Sequence, residues 1–116
     1  MTESIYQRDD LALLKASGAE GSSTNGTGQL IGPTGLVEIV IHVTAKSGTS
    51  PTLDLAFEQC TTLGGSYAAV VKYPQITAVG VYRLFAKFTQ AYVRYASTIG
   101  GSATPTFTYE VGVCKA

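Results

Sequence analysis

Apolar residues alternate with polar ones from Val37 onward: Val37, Ile39, Ile41, Val43 and Ala45 share one parity, and Glu38, His42 and Thr44 share the other with Val40. A second alternation follows, with Leu53, Leu55 and Phe57 against Asp54, Ala56 and Glu58. A period of two gives strands with one buried and one wetted face. Between the runs lies Lys46-Ser47-Gly48-Thr49-Ser50-Pro51, which offers a glycine for positive φ and a proline that cannot donate to a ladder. The sequence therefore predicts a β-hairpin over Val37–Cys60, with a loop at 46–51.

The rest of the chain follows the same pattern. Tyr67–Tyr73 reads as a strand ended by Pro74, and Phe107, Tyr109, Val111 and Val113 alternate with Thr108, Glu110 and Gly112 in a closing strand. Gln29-Leu30-Ile31 forms a short strand before the Gly32-Pro33-Thr34-Gly35 turn, and Thr61–Ser66 and Ile99–Pro105 read as loops. Val81–Tyr95 fits two templates. Val81, Leu84, Phe85, Phe88, Tyr92 and Tyr95 have helical spacing, yet the stretch also divides into Tyr82/Leu84/Ala86/Phe88 and Val93/Tyr95 alternations broken at Thr89-Gln90. Aromatic and β-branched residues, absent caps and strand-like neighbours favour two strands over a helix. Each of the four prolines falls between predicted strands. About seven or eight short strands without a helix define an all-β fold, an antiparallel β-sandwich with jelly-roll connectivity among its forms.

The N-terminal end differs. Leu11–Leu14 is too short to assign by period, with strand favoured over a helical turn, and Gly18–Gly28 (GAEGSSTNGTG) reads as a flexible loop. Residues 1–28 are accordingly expected to be an arm and flexible loop, and residues 29–116 the sandwich domain. Ile5, Tyr6, Arg8, Leu11, Leu13 and Leu14 form an apolar and charged patch that is a candidate interface. The alternative is that Leu11–Leu14 supplies the first edge strand of the sandwich itself.

With 116 residues, 45% of them hydrophobic, the chain makes one domain. Eight basic residues balance eight acidic ones, which argues against nucleic acid and anionic membranes as partners. The N-terminus has no signal-peptide pattern, and no apolar run approaches the roughly 18 residues of a membrane span, so cytosolic synthesis is expected. Cys60 and Cys114 are far apart, without a CxxC or clustered histidine, and read as reduced, partly buried thiols, with a cross-strand disulfide formed after lysis as the alternative, rather than a zinc or redox site.

Candidates for chemistry are few. His42 is the only histidine and lies on the more polar parity of its strand. Glu38, Asp54, Glu58 and Glu110 occupy outward positions where strands need solvating charge, so a paired-carboxylate glycosidase site is not favoured. Asn25-Gly26-Thr27 matches a glycosylation sequon, and no phosphate-cradling glycine motif follows any strand. No catalytic residue, metal ligand or cofactor is expected. Seven tyrosines, at 6, 67, 73, 82, 92, 95 and 109, suit half-buried strands, interfaces or a stacked-aromatic sugar site.

Ser47-Gly48-Thr49-Ser50-Pro51-Thr52-Leu53-Asp54, Gln75-Ile76-Thr77-Ala78 with Gly80, and Tyr92-Val93-Arg94 occur in an order that resembles the small β-sandwich virion proteins of tailed bacteriophages. The similar stretch runs from about Thr24 to Val113. The resemblance implies a non-enzymatic virion protein, foremost a capsid decoration (cement) protein, with a neck or tail component as the alternative. It implies the major capsid protein or other virion subunits as partners and the virion as location. The acidic turn and tryptophan that such proteins often carry after the second strand of the Val37–Cys60 hairpin are absent, and Thr61–Tyr67 stands there. A carbohydrate-binding module using surface tyrosines is the competing class. Few lysines or prolines block the predicted strand edges, so a homo-oligomer is expected.

Overall fold

The computed structural model describes residues 10–115. They form β1 (Asp10–Glu20), β2 (Gln29–Leu30), β3 (Leu36–Cys60), β4 (Ala68–Lys72), β5 (Gly80–Lys87) and β6 (Tyr92–Lys115), with no helix among them. All pairings are antiparallel within one six-stranded sheet. Val81–Tyr95 is thus two strands, β5 and the start of β6, as the alternation requires.

The expected hairpin over Val37–Cys60 does not form. Its two arms are one continuous strand, β3, and neither pairs with the other, because both pair with β6, from Val37↔Lys115 to Cys60↔Tyr92. The predicted 46–51 loop is a corner in that pair. Register shifts between Ser47 and Thr49 and between Thr49 and Thr52 put extra residues first on β6 and then on β3. Positive φ angles at Gly48, Ser50, Gly101, Ala103 and Thr104 bend both strands there. Ile99–Pro105, expected as a loop, is the β6 side of the same corner. Pro51 and Pro105 therefore lie inside strands, but at the bulged positions between ladder partners, where a missing N–H costs nothing. The outer prolines, Pro33 and Pro74, lie between strands as expected.

The corner divides the sheet into two halves. On one side the order is β1, the C-terminal half of β6, the N-terminal half of β3, then β5. On the other it is β2, the N-terminal half of β6, the C-terminal half of β3, then β4. Counted by halves, the six strands make eight short ones. Both halves bury side chains in one core: Val37, Ile39, Ile41, Val43, Phe107, Tyr109, Val111 and Val113 from the first, and Leu53, Leu55, Phe57, Val93 and Tyr95 from the second. Each fully buried large apolar side chain contributes roughly 1.5–3 kcal/mol, so the shared core rewards the bend.

The expected flexible loop at 18–28 is also corrected. Gly18–Glu20 belongs to β1, and Thr24 and Gly26 bond the backbone of Ser97 and Tyr95, so the chain stays on β6 between β1 and β2. Glycine and serine here supply backbone to a neighbouring ladder rather than slack.

Gly48 tests the corner. Its φ is +99°, and a Cβ there would lie 2.7 Å from Pro105 Cα. Gly48→Ala is expected to lower stability by about 1–3 kcal/mol in urea denaturation. Gly35→Ala, with open space around its Cβ, should change it by less than about 0.5 kcal/mol.

Candidate functional site

The core face of β6 carries hydroxyls where the alternation calls for hydrocarbon: Tyr95 and Ser97 follow Val93, and Tyr109 sits between Phe107 and Val111. All three donate to one buried carboxylate, Glu20 at the end of β1. Tyr95 Oη donates to Oε2 at 2.9 Å, and Ser97 Oγ and Tyr109 Oη donate to Oε1 at 2.6 Å each. Lys15 accompanies them. Its Nζ donates to the carbonyls of Gly18 at 2.8 Å and Tyr109 at 3.0 Å and stands 4.3 Å from the Tyr109 ring centroid. In a regular strand Lys15 and Glu20 would face opposite sides, but the register shift between Lys15 and Gly18 turns both toward β6.

Charge-assisted O–H bonds stabilise a carboxylate that burial alone would penalise. The network also shifts its members. Burial, then the bond to Glu20 and its charge, hold both phenols above their ordinary range. Burial pushes the Lys15 ammonium down, opposed by the Glu20 charge. Glu20 is not marked by the sequence pattern because it lies within the glycine- and serine-rich run Gly18–Gly28, which reads as a loop. The interruption of the β6 core parity by three hydroxyls was the available signal.

The outward carboxylates are all engaged. Glu58 accepts from Arg94 Nε at 2.8 Å, and the guanidinium lies 4.1 Å from the Tyr67 ring. Glu38 pairs with Arg83 at 3.4 Å, Asp54 accepts from Gln75 Nε2 at 3.1 Å, and Glu110 lies 3.7 Å from His42 Nδ1. The last distance is too long for a hydrogen bond. Glu38, His42, Glu58 and Glu110 thus sit in cross-strand pairs, and Asp54 meets the segment between β4 and β5, so the five do not surround a common centre. A depression of about 290 Å³ lies on the outer face over Ala56 and Ala96, walled by Asp54, Glu58, Lys72 and Thr98.

The expected interface residues separate. Ile5, Tyr6 and Arg8 lie outside the described residues, as does the Leu11 side chain. Leu13 is 45% exposed, whereas Leu14 is 5% exposed and belongs to the domain's own core, so it is not part of a free surface. Of the tyrosines, Tyr95 and Tyr109 are core residues. Cys60 and Cys114 are buried and not joined by a disulfide.

Among the described residues no group of three or more His, Cys, Asp or Glu is placed to hold a metal ion. No helix among them is long and apolar enough to cross a membrane. No family model matches the chain, and neither a curated protein nor a solved structure does.

The raised phenols fix the sign of an alkaline pH dependence. The folded state keeps the Tyr95 and Tyr109 protons where the unfolded chain loses them, so this stability is present below about pH 10 and lost as pH rises above it. The lowered Lys15 acts oppositely, favouring folding as pH rises toward 10.5. Urea denaturation should show stability falling above about pH 10, each tyrosine contributing a slope of up to about 1.4 kcal/mol per pH unit. Tyr109→Phe should cost about 1–3 kcal/mol at pH 7 and flatten that slope.

Proposed function

We propose that this chain is a non-enzymatic structural protein of a tailed-phage particle, a capsid decoration protein that binds and stabilises the head shell. The observation that carries the reading is the order of half-strands on the two sides of the corner. Numbered as eight, they run 1-8-3-6 on one side and 2-7-4-5 on the other. We read this as a jelly-roll sandwich, an architecture common in viral capsid and lectin domains. The sequence resemblance over Thr24–Val113 points to the viral member of that pair. The engagement of Glu20, Glu38, Asp54, Glu58 and Glu110 by neighbouring side chains agrees with carboxylates that solvate or fasten strands.

Mass spectrometry of purified virions tests this reading, with the protein expected in mature particles in copy numbers that scale with the capsid lattice. Absence from the particles would refute it. The depression over Ala56 and Ala96 and the Tyr67 ring on Arg94 favour a second reading, a carbohydrate-binding module. A glycan array separates the two. Sugar binding abolished by Tyr67→Ala supports the module, and none is expected of a decoration protein.

We also infer a homo-oligomer. The edge strand β5 exposes Val81 and Phe85, the latter 58% accessible, and Val79 just before it. Light scattering should give a mass above the 12.1 kDa monomer. Val81→Lys with Phe85→Lys should return it to monomer while leaving Tm nearly unchanged, since both side chains are exposed.

A further inference from the structure

β1 is attached to the molecule differently from the other long strands. It pairs with β6 alone and suffers three register shifts within eleven residues. Beyond Ala12 its apolar contribution to the shared core is Leu14, while Leu13, Ala16 and Ala19 face solvent. Its strongest side-chain fastening is polar: the Glu20 carboxylate under three O–H donors of β6, with Lys15 bonded to the Tyr109 carbonyl. The following residues stay on β6 through Thr24 and Gly26, and Ser97 Oγ, which donates to Glu20, also accepts from the Thr24 N–H at 3.1 Å.

We propose that β1 with its continuation to Gly26 is a strap that opens from β6 as a unit while the β3–β6 pair stays closed, and that Glu20 is its latch. Edge segments with few buried apolar contacts open at lower free energy than the core. Here the polar contacts converge on one carboxylate. Once its geometry is lost, the bonds from Tyr95, Ser97 and Tyr109 are lost together. Opening bares the N–H and C=O groups of β6 from Phe107 to Cys114, an edge of the kind that accepts an added strand.

Native-state hydrogen exchange of the full chain, followed by mass spectrometry in rising sub-denaturing urea, tests the proposal. In the unaltered protein, amides of residues 10–20 and 24–26 are expected to exchange about tenfold or more faster than those of 37–43, through an opening only weakly dependent on urea. Glu20→Gln should accelerate the strap amides further and leave 37–43 and 53–57 unchanged. Ser97→Ala, which deletes one donor and keeps the carboxylate, should do the same to a smaller extent. Exchange of the strap and of β3 through one common opening in the unaltered protein would overturn the proposal. So would equal acceleration of both by Glu20→Gln, a Glu20→Gln chain that fails to fold, or a Ser97→Ala variant whose strap exchanges at the original rate.

Discussion

The pairing of β3 with β6 is the constraint on which the rest of the structure depends. Two strands of 25 and 24 residues stay hydrogen-bonded from end to end, and every other strand is laid against one of them. A flat ladder of that length would leave both faces half wet. The register shifts and positive φ angles at Gly48, Ser50, Gly101, Ala103 and Thr104 bend it once, so the apolar faces of its two halves enclose one core. Backbone strain at three non-glycine positions is offset by that burial, at roughly 25 cal/mol per Å² of apolar surface.

The remaining strands extend both edges of this pair, and the chain continues along the ladder where the strand assignment breaks. Ile76 bridges to Leu53 between β4 and β5, and Asn25 bridges to Ala96 between β1 and β2. Connecting segments therefore satisfy their backbone groups on the sheet, which is what a small all-β domain with little other cover requires. Charge follows the same economy. Outward acids meet a base or an amide across the strands, and the inward acid, Glu20, is buried under hydroxyls from the strand it joins. An acid in that position ties β1 to a defined register where three bulges would otherwise permit slippage.

This organisation leaves apolar side chains on several parts of the surface. Leu13, Leu30, Leu36, Val70, Val81 and Phe85 are exposed on five different strands, and β1 is held by its ladder to β6, by Leu14 in the core and by Glu20.

The sequence by itself determined the all-β class and most of the strand parities and of the core, though not Leu14, Val40 or Ile76. Val37, Ile39, Ile41, Val43, Leu53, Leu55, Phe57, Phe107, Tyr109, Val111 and Val113 are inward because a period of two depends only on the local backbone. The division of Val81–Tyr95 into two strands was legible for the same reason. Whether Val37–Ala45 and Leu53–Phe57 pair with each other or both with β6 was not, because a Gly-Pro segment serves equally as a hairpin loop and as a bulged corner. That choice was made by partners far along the chain, from Phe57↔Tyr95 to Val37↔Lys115. The Glu20 network was decided by tertiary structure as well. Bulges reset the parity of β1, and only the long-range approach of β6 brings Tyr95, Ser97 and Tyr109 to a carboxylate that local pattern assigned to a loop.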